Sequence, residues 1–188
     1  MALTKETRFI IAIAIQLAVI FGMIAYKAST LRAGAVVNLR IEPVDPRDML
    51  RGDYITFRYG ISSLGRAMLR DGPVRNGETV YVTLRKSGKL WIADAVLKTK
   101  PEGEDAPFIR GRVAGGGLES GAPLSAWREA GGPPIRVVYG IEQYFIPEGK
   151  GAGLNLRGAT NQTFARVVVD RNGKAVLKQI YIDGTPWP

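Results

Sequence analysis

Two polar clusters contain the residues whose types and spacing are best suited to chemistry. The first, residues 42–54, places three aspartates and two arginines within nine residues, after Pro43 and Pro46. Carboxylates at this density suit acid–base or ligand-binding work, and they equally suit bidentate Arg–Asp pairs that fix a loop. We favour the fixed loop, and keep as candidate binding residues Asp45, Arg47, Asp48, Arg51, Gly52, Asp53, Tyr54 and, on the strand that follows, Tyr59.

The second cluster lies at residues 139–151 and combines aromatic residues with two carboxylates. Its simpler interpretation is a group of core aromatic residues followed by a surface loop. The binding candidates here are Tyr139, Glu142, Tyr144 and Glu148. An enzyme would instead require Asp48, Asp53 and Glu142 to converge in one pocket, which spacing alone does not decide.

The chain of 188 residues has no histidine and no cysteine. This composition excludes Ser-His-Asp and Cys-His nucleophilic sites, disulfides, and zinc sites built on histidine or cysteine. We therefore predict no catalytic residues, no metal site and no cofactor. The net charge of +9 is spread along the chain without a run of like charges, so we predict no nucleic-acid binding and attribute the sign to attraction towards a lipid bilayer.

One apolar segment predicts that the chain that carries the two clusters is anchored in a membrane. Residues 9–26 contain Gln16 as their only polar side chain, and 18 residues of helix span roughly 27 Å, close to the thickness of a bilayer core. We predict a tail at 1–8, a transmembrane anchor at 9–26 and a linker at 27–35. A cleaved signal peptide is the rival interpretation. The short tail favours a signal-anchor of a bacterial-type inner membrane, single-pass, with the bulk of the chain extracytoplasmic (periplasmic).

Residues 36–188 have the pattern of a β-rich domain. Alternating or branched apolar runs separated by glycine-rich turns predict an antiparallel β barrel or sandwich with one or two short helices, at Ser62–Leu69 and Pro123–Ala130. Arg171-Asn172-Gly173-Lys174 predicts a two-residue type I′ hairpin. The predicted strands are Val36–Ile41, Tyr54–Ile61, Thr79–Leu84, Leu90–Leu97, Phe108–Val113, Ile135–Ile141, Phe164–Val169 and Ala175–Ile182.

A faint internal repeat runs through this domain. Residues 55–61 (ITFRYGI) match residues 135–141 (IRVVYGI), and the hairpin sequence that starts at Val80 resembles the one that starts at Ala165. The repeat predicts a pseudo-duplicated pair of β units, with half-repeats at 36–100 and 108–188. The alternative is convergence, since unrelated hairpins share branched residues and a glycine turn.

Residues 52–59 (GDYITFRY) resemble the motif of the GDYXXLXY family of membrane proteins, with Phe57 in place of the family's leucine. Phe57 is also large and apolar, so we expect it to keep the packing role. The block at 139–149 is similar to that family as well. The resemblance covers most of the chain and implies a single-span, membrane-anchored protein with a multi-pass membrane protein as partner. It supplies no catalytic residues.

A second resemblance is to signal-peptidase-like Ser/Lys hydrolases, which also combine a membrane anchor, a β body and a Gly-Asp strand start. Their nucleophilic serine precedes the Gly-Asp turn, but residues 33–54 contain no serine. We predict a membrane-anchored β domain that acts as a non-enzymatic binding subunit of a membrane protein system. The alternative is a hydrolase-like envelope enzyme that uses carboxylates or a degenerate Ser/Lys site.

Overall fold

The N-terminal part of the chain is one long helix. The computed structural model describes residues 4–42, 54–103, 106–127, 132–145 and 163–187. Helix α1 spans Lys5–Ala33, and Thr4 caps it by accepting a hydrogen bond from the backbone N–H of Thr7 at 3.3 Å. Its segment Lys5–Ala25 has a mean hydropathy of 2.3, which is long and apolar enough to cross a bilayer. The predicted apolar helix is confirmed, and α1 also covers most of the predicted linker.

The rest of the described chain is mainly β, as predicted. Strands β6, β10 and β11 have the predicted bounds, whereas the predicted strand Tyr54–Ile61 is divided between β2 and β3. The twelve strands in the described residues are β1 Ala35–Glu42, β2 Tyr54–Thr56, β3 Arg58–Tyr59, β4 Ser63–Leu64, β5 Thr79–Ser87, β6 Leu90–Leu97, β7 Phe108–Gly115, β8 Ile135–Val138, β9 Gln143–Phe145, β10 Phe164–Val169, β11 Ala175–Ile182 and β12 Thr185–Trp187.

Ten of these strands form one mixed sheet, in the order β12-β11-β10-β1-β6-β5-β7-β8-β4, with β3 paired to β1. Strands β2 and β9 form a separate two-stranded ribbon. The prediction of an antiparallel body is wrong at one place, because β1 pairs β6 in parallel, with Leu39 opposite Trp91. A parallel pair requires a long connection rather than a hairpin, and here the chain from Ile41 to Leu90 supplies it.

The sheet contains two runs of four strands with related connectivity. In β11-β10-β1-β3 and in β6-β5-β7-β8, a hairpin lies beside a long strand, and that strand pairs with the short strand at a Tyr-Gly-Ile sequence. Strand β1 pairs with the second hairpin, at Val37 opposite Val167, and β7 pairs with the first hairpin, at Arg110 opposite Tyr81. Each hairpin is therefore extended by a strand from the other part of the chain. The proposed half-repeat bounds stay a prediction.

In the described residues, each predicted short helix contains only a single 3₁₀ turn. Ser62–Leu69 contains β4 and a turn at Arg66–Met68, and the second region has a turn at Leu124–Ala126. Arg66 holds both regions in place: its Nε donates to the Pro133 carbonyl at 3.0 Å and its Nη2 to the Gly116 carbonyl at 2.9 Å. Its guanidinium also lies 3.9 Å from the ring centroid of Trp127. Long-range contacts of this kind override helix propensity in so short a segment.

The predicted type I′ hairpin at 171–174 is also wrong in detail. Only Gly173 has a positive φ there, at 77°. The Gly173 N–H donates to the Asp170 carbonyl at 3.0 Å, and the Asp170 carboxylate accepts the N–H groups of Asn172 and Lys174, each at 2.8 Å. This is a three-residue loop with a glycine bulge, which requires one left-handed residue instead of two.

Candidate functional site: the crossed tyrosine pair

The two Tyr-Gly-Ile segments lie side by side and antiparallel. Ile55 of β2 lies opposite Tyr144 of β9, and Leu64 of β4 lies opposite Ile135 of β8. Exchanging each residue with its counterpart 80 positions away in the other segment turns the first of these pairs into the second. The register is therefore that of a local two-fold axis that passes between the segments.

Hydrogen bonds are exchanged across this axis. The backbone N–H of Phe57 donates to the Glu142 carbonyl at 3.0 Å, and the N–H of Val137 donates to the Ser62 carbonyl at 2.9 Å. These four residues are related by the same offset as the strands. The backbone N–H and carbonyl groups therefore form equivalent hydrogen bonds on the two sides of the axis.

The two tyrosine hydroxyls follow the same exchange. The Tyr59 hydroxyl donates to the Ile141 carbonyl at 2.6 Å, and the Tyr139 hydroxyl donates to the Ile61 carbonyl at 2.5 Å. Both rings are buried. We call Tyr59, Tyr139 and these two carbonyls the crossed tyrosine pair.

The turn after each tyrosine is closed by the residue three positions later. The Tyr59 N–H donates to the Ser62 Oγ at 3.2 Å, and the Tyr139 N–H donates to the Glu142 Oε1 at 2.6 Å. The second Glu142 oxygen accepts the Gly140 N–H at 2.8 Å. Gly140 has a φ of 78°, so glycine suits this turn. The two turns thus differ in charge, because the Glu142 carboxylate occupies in one turn the position that the Ser62 hydroxyl occupies in the other.

Burial and the carboxylate both keep the phenols protonated. Burial raises the pKa of Tyr59, and the nearby negative charge of Glu142 raises it further. The same two causes, in the same order, raise the pKa of Tyr139 well above its usual value. The crossed tyrosine pair consequently contains two neutral donors, each with one carbonyl acceptor, and has no group prepared to accept or transfer a proton near neutral pH.

The structure brings four of the predicted site residues together. Tyr59, Tyr139 and Glu142 form the site just described, and Tyr144 lies on the adjoining ribbon with its ring centroid 6.3 Å from that of Trp187. Tyr54 begins the ribbon, opposite Phe145. The remaining predicted site residues lie outside the described residues, and so do the proposed Arg–Asp pairs around Gly52: Asp45, Arg47, Asp48, Arg51, Gly52, Asp53 and Glu148.

Phe57 is fully buried and packs edge-on against Tyr59, with ring centroids 5.6 Å apart. This confirms the expectation that phenylalanine keeps the packing role of the motif's leucine. Ser62 is buried as well, and its Oγ is engaged as an acceptor. The composition of the motif did not identify Ser62, Ile61, Ile141 or Trp187, although the repeated Tyr-Gly-Ile sequence marked Ile61 and Ile141.

The described part of the site has the properties of a packed polar core. The Glu142 carboxylate is bound by two backbone N–H groups, which fixes it as a turn acceptor. Within the described residues, no group of three acidic side chains could hold a metal ion. On the β2–β9 ribbon Gln143 is exposed and Tyr144 is half-buried, beside the half-buried Trp187 of β12.

A long apolar helix joined to a β domain of this topology defines a class of single-helix, β-rich proteins. Comparison with protein families assigns the chain more closely. The family model described as GDYXXLXY protein matches residues 16–180, and the chain therefore belongs to that family. No curated protein and no solved structure gives a match.

Proposed function

We propose that the protein is a membrane-anchored, extracytoplasmic β domain that binds a membrane protein partner and performs no reaction of its own. The observation that carries this proposal is the β2–β9 ribbon, where the two predicted binding clusters become neighbours. Tyr144 and Trp187 form an aromatic pair there. Half-buried aromatic residues beside polar ones are typical of protein interfaces.

The described residues on either side of positions 43–53 and 146–162 lie on the same side of the domain as the ribbon. Glu42 pairs with Arg58 at the end of β1, and the Ile41 N–H donates to the Thr163 carbonyl at 3.2 Å. The residues that flank positions 43–53 and 146–162 therefore lie near the ribbon. We name the surface formed by Thr56, Gln143, Tyr144 and Trp187 the ribbon surface and propose it as the contact with a multi-pass membrane partner.

The first test concerns orientation. A reporter enzyme that is active only outside the cytoplasm, fused after Pro188, is expected to be active because the proposal places the β domain on that side of the membrane. The measurement is reporter activity in intact cells, against the same fusion carrying a reporter that is active only in the cytoplasm. Activity of the cytoplasmic reporter alone would overturn the proposed localisation.

The second test concerns the ribbon surface. A photo-crosslinking residue in place of exposed Gln143 is expected to capture a partner in native membranes, whereas the same residue in place of exposed Lys178 on β11 is not. The readout is the mass of the cross-linked product and its identification as a membrane protein. Adding Tyr144→Ala and Trp187→Ala should lower the yield at least tenfold, because truncation of an aromatic hot-spot residue costs about 2 kcal/mol or more.

Tyr81→Ala and Trp91→Ala provide the matched control, since both side chains are half-buried aromatic residues on strands of the main sheet. Their effect on the yield should be small. If positions 143 and 178 give the same products, or if the two double variants lower the yield equally, the ribbon surface is not the binding site.

A further inference from the structure

Two hairpin turns come together at the end of the β domain where α1 joins it. Strand β10 runs antiparallel to β1, with Ala35 opposite Val169, so the turn after β10 lies beside the start of β1. Strand β6 runs parallel to β1, so the turn before β6 lies there too. The Asn38 side-chain amide confirms this by donating to the Lys89 carbonyl at 3.1 Å.

The junction between α1 and β1 is held tightly against β10. Gly34 is the residue after α1, and a Cβ there would lie 2.5 Å from the Val168 Cγ1 and 2.7 Å from the Val169 carbonyl oxygen. Only glycine allows this approach. The turn that follows β10 is consequently fixed close to the end of the helix.

Both turns carry exposed cations. We name them the basic rim, which consists of Lys86, Lys89, Arg171 and Lys174. The neighbouring carboxylate of Asp170 is already engaged, because its Oδ1 accepts two backbone N–H groups within the turn. Asp170 cancels one of the four rim charges, so the rim keeps an excess of positive charge.

The rim lies within electrostatic reach of a bilayer that α1 crosses. The apolar segment ends at Ala25 and α1 ends at Ala33, so eight helical residues, about 12 Å, separate the hydrocarbon from the β domain. Headgroups occupy about 5 to 7 Å of that distance. The remainder is comparable to the screening length of roughly 8 to 10 Å at physiological salt.

A cleft opens beside the rim. It has a volume of about 700 Å³, and its lining includes the cations Lys100 and Arg171 and the carboxylates Glu102 and Asp170. The Lys100 ammonium is held at this place by a 2.9 Å hydrogen bond to the Asn172 side-chain oxygen. The charges that line the cleft therefore balance, and the excess of positive charge at this end of β1 comes from the other rim cations, Lys86, Lys89 and Lys174.

We propose that the basic rim docks the domain on anionic phospholipid headgroups. This inference rests on α1 spanning a bilayer, which is part of the proposed function, but it concerns the opposite end of β1 from the ribbon surface. The docked rim orients the domain, so that the ribbon surface faces away from the headgroups and towards the extramembrane part of a partner.

The test uses the full chain in vesicles. Because the protein contains no cysteine, Ser87→Cys allows a fluorophore to be placed in the turn before β6 without background. We expect a nitroxide on lipid headgroups to quench this fluorophore strongly when phosphatidylglycerol is mixed into phosphatidylcholine, and weakly in phosphatidylcholine alone. High salt should abolish the difference. A label at Ser63→Cys, on β4, should be quenched weakly in both.

Variants separate docking from anchoring. Each rim cation replaced by glutamine should lower the equilibrium constant for docking about fivefold, since a cation near an anionic surface contributes about 1 kcal/mol. The variant with all four rim cations replaced should show no lipid-dependent quenching. The matched control replaces four exposed cations elsewhere, with the same change of net charge, and should keep it: Arg58, Arg70, Arg136 and Lys178.

Flotation of the protein with the vesicles reports the anchor independently, so failure of the anchor is distinguishable from failure of docking. The single variant Lys89→Gln provides the fivefold test if the fourfold variant does not fold. Equal quenching in neutral and anionic vesicles, or equal loss in the rim and control variants, would overturn the proposal.

Discussion

Replacing both members of the crossed tyrosine pair, in Tyr59→Phe/Tyr139→Phe, is expected to lower the free energy of unfolding by about 2 to 5 kcal/mol. Each substitution removes a hydroxyl from a buried site and leaves the Ile141 or Ile61 carbonyl without its donor. A buried polar group without a partner costs about 1 to 3 kcal/mol, and the rings themselves stay in place. The measurement is urea unfolding of the full chain in detergent, followed by tryptophan fluorescence.

Tyr81→Phe is the matched control for this experiment. It removes a phenol hydroxyl from a half-buried ring that packs against Phe108, with centroids 5.8 Å apart. Its effect should stay within about 0.5 kcal/mol. A double variant at positions 59 and 139 that is no less stable than this control would mean that the two hydroxyls do not contribute to stability.

The dependence of the free energy of unfolding on alkaline pH tests the same two tyrosines. Burial and Glu142 raise the pKa of both tyrosines in the folded protein, whereas in the unfolded chain the phenol pKa is about 10. Above about pH 10 the unfolded state releases protons that the folded state retains. The free energy of unfolding then falls by about 1.4 kcal/mol per pH unit for each tyrosine. Below that pH the contribution is fully present.

The slope between about pH 9 and pH 11 should therefore be shallower in the double phenylalanine variant than in the wild type. Lysine titration contributes to both proteins equally, so the difference isolates the tyrosines. A wild-type slope equal to that of the variant would contradict the buried, neutral state of the phenols.

Local pattern predicted the strands well where one pairing partner serves a whole strand. Phe164–Val169 and Ala175–Ile182 pair as one hairpin with a bulge between Arg166 and Val167, and their branched apolar runs set their bounds. The same approach failed at Tyr54–Ile61, where the chain changes partner. Residues before Phe57 pair with β9, and those after it pair with β1. A change of partner is a long-range event that periodicity does not encode.

The candidate site was likewise predicted from the sequence only in part. The repeated Tyr-Gly-Ile sequence indicated that two segments were related, but the sequence contained no sign that each hydroxyl would bond to the carbonyl of the other segment. That exchange depends on an antiparallel register between residues about 80 positions apart. The short strands β9 and β12 were missed for a similar reason, because three residues are too few to show a period and are specified by their partners.

Gly111→Ala is expected to be the most damaging single methyl addition near the site, with a cost of about 2 to 3 kcal/mol. Gly111 lies on β7, where an added Cβ would be 2.4 Å from the Val137 Cγ1 and 2.9 Å from the Tyr139 Cδ1. Both neighbours are buried, so neither moves at low cost. The added methyl group would displace the Tyr139 ring and weaken its bond to the Ile61 carbonyl.

Gly65→Ala provides the control, since Gly65 has a φ of −64° and no atom within 4 Å of the added Cβ, which makes a neutral or slightly stabilising effect the expected one. Val137→Ala should partly rescue Gly111→Ala by removing the contacted methyl group, and the double variant should be more stable than the sum of the two single changes implies. Additive effects would show that Gly111 does not act through Val137. A rescued protein whose stability again falls steeply above about pH 10 would show that the Tyr139 ring had returned to its buried position, which links the small side chain on β7 to the crossed tyrosine pair.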